Sequence, residues 1–267
     1  MLWIFVIKEH STIVLLFVGI FSIGIVNIVL DENVYAHNFV SDEKAMFLTQ
    51  VYRAEIELLL AINNFPSNVS LATDHAEDAT VVMDDIYDPE GDIAEDTDFI
   101  RRYEEVMNSF NSTLYAMVIA NIGDEILRKY GEAYDLDYDL TNMSNMMMIM
   151  NSDMNSSSSN MNMQIMQHFD MTEKNNSSPA VNVDEYQSAK QLSEKAYEIF
   201  KTKLKPLSMR DSTTYNNNTV IANLEKNLID IKHLMTNNNE SASELMQVVH
   251  GKVHPILQAE YNLPLKQ

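Results

Sequence analysis

Between residues 41 and 256 the apolar residues of this chain recur three and four positions apart, and strict alternation is scarce. Ala45, Leu48, Tyr52, Ile56, Leu59 and Ile62 form one such line; Val220, Leu224, Leu228, Ile231 and Met235 form another. That spacing stacks side chains on one face of a 3.6-residue turn, whereas a half-buried strand needs a period of two. Six glycines and six prolines in 267 residues leave long stretches without a breaker. The pattern predicts an all-α protein built as one or two up-and-down helical bundles.

Four helices are expected in a first part, residues 37–138. Ser41 caps one that runs to Asn63, with Pro66 after its end. Ser70 opens a second to Tyr87, with Leu71, His75, Ala79, Val82 and Ile86 in line. After the turn Pro89-Glu90-Gly91 a third begins near Ile93, and after a break around Ser112 a fourth reaches Tyr130, with Gly131 placed to cap it. Residues 139–182 change in kind: Met, Asn and Ser dominate, and such a composition reads as a disordered linker without a core of its own. Three helices are expected in residues 183–267. The first starts at Asp184, carries Tyr186, Ala189, Leu192, Ala196, Ile199 and Leu204, and ends near Pro206. The second holds the Val220–Met235 line. Ser241 or Ser243 opens the last, with Leu245, Val249, Val253 and Ile256. Three helices make a thin core, so docking of the second part on the first is expected.

Residues 1–36 read as a targeting segment. Ile13 to Leu30 is an 18-residue apolar run with Lys8 before it and Val34-Tyr35-Ala36 after it. A basic end, an apolar stretch and small residues at the last and third-last positions suit a signal peptidase, and cleavage after Ala36 would make His37 the first residue. The run is also long enough to span a bilayer, so an uncleaved signal anchor is the alternative. Either way the C-terminal bulk is expected outside the cytoplasm, secreted or membrane-anchored.

The formal charge is −21, and −19 once Lys8, Glu9, Asp31 and Glu32 leave with the first 36 residues. Such a surface repels nucleic-acid phosphates and attracts cations. The absence of cysteine excludes disulfides and thiolate chemistry, so a metal would have to bind His, Met, Asp, Glu or backbone. Asn-x-Ser/Thr occurs at Asn68, Asn111, Asn142, Asn155, Asn175, Asn176, Asn217 and Asn239, which in an exported chain predicts N-linked glycans on part of the surface.

Two groups of residues suggest metal chemistry. Ten of the eighteen methionines lie between Met143 and Met171. Met161, Met163, Met166 and Met171 with His168 set soft thioethers beside an imidazole, a donor set that suits Cu(I). The competing reading is a linker of drifted composition. His250 and His254, four apart on the last helix, lie on one face, as metal-binding histidine pairs do. Residue 251 is Gly rather than Glu, so the zinc-protease motif fails. At 100° per residue the pair falls well away from the Leu245–Val249–Ile256 stripe, on a second seam or in solvent, and Pro255 predicts a kink beside it.

His75 lies within an apolar stripe and is expected to point inward, held by Asp78 one turn on; a buried structural role competes there with metal ligation. A free N-terminal His37 would offer its amine and a ring nitrogen to one ion, with His75, His250 or His254 as a second ligand. The acidic stretch from Asp74 to Asp98 fails the EF-hand pattern, because alignment on Gly91 puts Ile86 and Thr97 at the first and twelfth ligand positions.

Within residues 184–207, Tyr186, Ala189, Leu192, Ala196, Tyr197 and Phe200 give a short pattern that resembles the extracytoplasmic helices attached to some iron permeases. The Arg-Glu-x-x-Glu transport motif and multiple membrane spans of those permeases are missing, so the resemblance does not imply transport. More broadly, Ala36-His37-Asn38-Phe39, Leu71-Ala72-x-x-His75-Ala76-x-x-Ala79 and Val249-His250-Gly251-x-x-His254-Pro255-x-Leu257 resemble secreted, acidic, low-cysteine helical proteins of ammonia-oxidising archaea. That resemblance implies a setting beneath a glycosylated surface layer in organisms that depend on copper, and no activity. No catalytic triad, phosphate loop or paired catalytic carboxylate stands out. The expectation is therefore an exported, non-enzymatic helical protein that binds or buffers a transition metal, copper before iron. The alternative is a structural or accessory subunit of a membrane or cell-surface complex, with a protein partner there and no metal role.

Overall fold

A computed structural model of the protein describes residues 42–87, 96–142, 180, 182–211, 217–237 and 242–263, all within one compact unit, Ala36–Gln267. Among these residues there are seven helices and no strand. They are α1 (Glu43–Asn64), α2 (Val69–Tyr87), α3 (Asp96–Met107) and α4 (Ser112–Ala133), then α5 to α7. Helix α5 runs over Val183–Ile199, widens into a π-helical turn at Phe200–Leu204 and resumes over Lys205–Asp211. Helix α6 is Asn217–Thr236. Helix α7 repeats the α5 design: Ala242–Val248, a π-helical turn Val249–Val253, then His254–Tyr261. The all-α bundle, four helices before the Met-rich segment and three after it, is what the apolar spacing predicts. None of the described helices is long and apolar enough to cross a membrane. The expected targeting segment, His37, and the tract Met161, Met163, Met166, His168 and Met171 lie outside the described residues.

Helix α4 occupies the middle. Leu114 through Leu127 are buried with the single exception of Met117, so the helix is covered on every side. It packs along α5 and touches α1 and α7, while α1 lies along α2. One hydrophobic cluster draws on both halves of the chain. Ile119, Ile122 and Ile126 of α4 sit in it with Leu192, Phe200 and Leu204 of α5, Leu224 and Leu228 of α6 and Leu257 of α7. A helix wrapped in this way carries its polar residues inside as well, and so Asp124 and Glu125 are buried.

Several boundaries differ from expectation, each for a local reason. Asp42, not Ser41, caps α1; its carboxylate accepts from the Lys44 amide at 2.7 Å. Asn68, not Ser70, serves α2, accepting from the Leu71 amide at 3.2 Å. Asn182 rather than Asp184 stands at the start of α5, and Asp184 sits in the first turn, where a negative charge favours the helix N-terminus. Gly131 lies inside α4; the chain turns at Asp135, with φ 51°. Pro206 does not end α5. The π-helical turn ahead of it gives the Lys205 amide the Phe200 carbonyl as its partner, and the helix continues past the proline. Residues 139 and 140 belong to the fold rather than to a linker. Asp139 accepts from the Thr141 amide at 2.8 Å and hydroxyl at 2.7 Å, a turn that leaves Leu140 fully buried.

Candidate metal centre

Pro255 governs the local structure around His250 and His254. It has no amide hydrogen, and its ring would strike the carbonyl four residues back in a regular α-helix. The helix answers with the π-helical turn Val249–Val253, in which the His254 amide donates to the Val249 carbonyl. Helices that carry such turns often do so at functional sites. Of the two positions the sequence left open to this pair, a second seam or solvent, it takes the buried one. His250 and His254 are 2% and 5% exposed, and Asp124, facing them from α4, is 3% exposed.

Gly123 lets the two helices meet. A Cβ there would lie 3.3 Å from His254 Nε2 and 3.3 Å from Val249 Cγ1, closer than ordinary van der Waals contact. The His250 Nδ1 and His254 Nδ1 atoms are 3.3 Å apart, with the rings tilted at 72°. His250 Nε2 is 3.0 Å from the Leu140 carbonyl, and His254 Nε2 is 3.3 Å from the Ala120 carbonyl and 3.7 Å from Asp124 Oδ1. One donor atom from each of Asp124, His250 and His254 falls within 4.8 Å of the other two.

A carbonyl can only accept, so each Nε2 that faces one must carry a hydrogen. Two neutral imidazoles carry one ring hydrogen apiece, and the carbonyls use both. The two Nδ1 atoms then face each other across 3.3 Å. A cation between them, a third proton or a metal ion, would be held by both. An imidazole bound to metal through one nitrogen commonly donates from the other to a carbonyl or carboxylate, which is the environment both rings have here.

His75 sits elsewhere. It is fully buried, its Nδ1 donates to Glu57 Oε2 at 2.8 Å, and its Nε2 lies 3.1 Å from Gln187 Oε1. Ser188 donates to the same Glu57 oxygen at 3.0 Å, and Asn64 donates to Gln187 Oε1 at 2.8 Å. The inward orientation is as expected; the partner is not. Asp78 reaches across to Lys129 Nζ at 3.0 Å, and Glu57 of α1 takes the imidazole. Burial alone would lower the His75 pKa, but the Glu57 hydrogen bond and charge, helped by Gln187 and Asp184, hold it above the usual histidine value. With both ring nitrogens donating, His75 is an imidazolium locked in a polar knot.

A second buried ionic knot borders the core. Arg53 Nε lies 2.7 Å from Glu125 Oε1, and Arg128 grips both Glu125 oxygens, at 2.5 and 2.9 Å. Burial would raise the Glu125 pKa, but the two guanidinium groups hold it well below the carboxylate range. Lys129 lies 2.6 Å from Glu185, yet burial prevails there and pushes that carboxyl up to about 7. These groups tie α4 to α1, α2 and α5.

Sequence reasoning missed Asp124, Leu140 and Glu57. Asp-x-Thr at 139–141 is a turn signal that would have marked Leu140 as ordered. Nothing local distinguishes Asp124 or Glu57 from solvent-facing acids. Comparison with known proteins found no family model that matches this chain, no similar curated protein and no similar solved structure.

Proposed function

We propose that the protein is an exported, non-enzymatic helical protein that holds one transition-metal ion between His250 and His254, with Asp124 supplying negative charge beside it. The observation that carries this reading is the facing pair of Nδ1 atoms, 3.3 Å apart, whose rings point both Nε2 atoms at backbone carbonyls. Two neutral imidazoles and a carboxylate form a donor set for a borderline divalent ion. Burial of all three residues favours retention of the ion over rapid exchange, and a bound ion stabilises the fold in proportion to its affinity. The Met161–Met171 tract remains a separate Cu(I) proposal.

The test is metal retention. The chelator-stripped chain, reloaded and desalted, should keep one equivalent of zinc or copper by elemental analysis. H250A, H254A and the double variant should each lose nearly all of it, because one imidazole alone is a poor site. Should those variants fail to fold, imidazole 15N spectra of the unaltered chain decide: metal must shift both Nδ1 resonances. A chain that retains no ion, or whose Nδ1 resonances ignore it, rules the reading out.

A second reading, a subunit docked on a membrane or cell-surface complex, has one observation in its favour. Leu59, Ile62, Phe65 and Val69 stand exposed at the α1–α2 end, Phe65 by 63%.

A further inference from the structure

The α1–α2 corner carries apolar side chains that the fold leaves uncovered. Leu59, Ile62, Phe65 and Val69 are exposed by about half or more, and no charged side chain occurs from residue 58 to residue 73 in a chain of net charge −21. The sequon Asn68-Val69-Ser70 lies in the same patch. Resting on the export proposed above, we infer that Asn68 is an N-glycosylation site whose first sugar lies over the Phe65 ring, so that carbohydrate covers this corner. In the modification, Asn68 Nδ2 bonds to the anomeric carbon of a lipid-phosphate-linked sugar. The bond from that carbon to the phosphate oxygen breaks, the lipid phosphate leaves with the electron pair, and Nδ2 gives up one proton.

Asn68 is exposed, and its Oδ1 accepts from the Leu71 amide at 3.2 Å, a cap that leaves Nδ2 without a partner among the described residues. Ser70, the third residue of the sequon, is exposed as well. Phe65 and Asn68 belong to one closed turn, in which the Asn68 amide donates to the Asn64 carbonyl at 2.8 Å. Asn64 in turn donates from its side chain to Gln187 of α5 at 2.8 Å, so the turn is anchored without any sugar. Phe65 is 63% exposed and has no ring partner among the described residues. The negative face of that ring is free to attract the weakly positive C–H bonds of a pyranose. Asn111 begins the other sequon whose three residues are all described. It caps α4 in the same manner, accepting from the Leu114 amide at 2.8 Å, but its neighbour Phe110 is stacked on Tyr115 at 5.4 Å and Thr113 is half-buried. A second copy of the chain suits the α1–α2 corner poorly. The patch is on the order of 400 Å², so two would bury roughly 800 Å², short of the ~1,200 Å² that specific pairs need.

The experiment uses the full chain, produced in a host that attaches N-glycans to exported proteins, with peptide mapping by mass spectrometry. We expect sugar on the Asn68 peptide. S70A removes the sequon and keeps the Asn68 cap; it should bind more of an apolar dye than the parent and melt about 2–4 °C lower. Both differences should vanish when parent and S70A each carry F65S, and when both are made in a host without the glycosylation pathway. Asn68 bare while Asn111 carries sugar overturns this proposal and leaves export standing. Sugar on Asn68 with dye binding and Tm equal to those of S70A overturns the covering of the patch. A chain retained in the cell with every sequon bare overturns the export reading, and this proposal with it.

Discussion

Gly123→Ala adds one methyl group where α4 meets α7, and its consequences for stability and for metal should diverge. Relieving a glycine inside a helix is worth about 1 kcal/mol in backbone propensity. Against this, the new Cβ would lie 3.3 Å from both His254 Nε2 and Val249 Cγ1, so each must retreat by a few tenths of an ångström. Overpacking of this kind costs about 1–3 kcal/mol. The net change is a loss of roughly 0–2 kcal/mol, or a drop of no more than about 8 °C in Tm for a domain of this size. The site is less forgiving. The His254 Nε2 to Ala120 carbonyl distance is already 3.3 Å, and a further retreat takes it beyond hydrogen-bonding range. With Nε2 released, His254 loses both its tautomer and its orientation, a loss that typically weakens a metal site by about 10- to 100-fold. The assay pairs competitive Zn(II) titration with thermal unfolding of the metal-free chain. Gly131→Ala is the control: its Cβ would rest 3.8 Å from Leu140, an ordinary contact, so that variant should gain up to about 1 kcal/mol and bind metal like the parent. If Gly123→Ala binds zinc as tightly as the parent, the close approach does not position His254, and the reasoning fails.

Two further outcomes concern pH. His75 has a folded-state pKa raised above its unfolded value near 6.5, so its contribution to stability is complete below that value and fades as pH rises through the raised one. H75Q should cost on the order of 3 kcal/mol at pH 6 and progressively less in alkaline buffer; a gap that grows with pH in denaturant titrations would contradict the ion-pair description. Glu185 titrates near 7 in the fold against 4.5 unfolded, so its contribution is present below pH 4.5 and lost as pH climbs through 7. That group should take on the order of 3 kcal/mol from the parent across the interval, and E185Q should lack the slope; an E185Q profile parallel to the parent's would refute it.

The helices were legible because their signal is local. Ala45, Leu48 and Ile56 of α1 and Leu224, Leu228, Ile231 and Met235 of α6 repeat with the helical period and are buried, and burying such a stripe is what stabilises the helix, whereas Leu59 and Ile62 at the end of the α1 line stand exposed. A disturbance of the helix at Pro255 was equally legible, since proline removes one amide hydrogen wherever it sits in a helix. Its form was not. Whether the chain breaks, bends or widens into a π-helical turn depends on what the following residues pack against; here Leu257 and Tyr261 dock in the core and keep the helix going. The sequence left His250 and His254 on a second seam or in solvent, and the packing put them in the interior. The partners of the buried polar groups lay further out of reach. Asp124 meets His254, Leu140 meets His250, and Glu57 rather than Asp78 meets His75, across sequence separations of 130, 110 and 18 residues. Composition and periodicity determined that this chain would be helical, acidic and without thiol chemistry. Only the packing of α4 inside the bundle decided which two histidines and which carboxylate are buried together, because burial depends on what covers a residue and not on the residue itself.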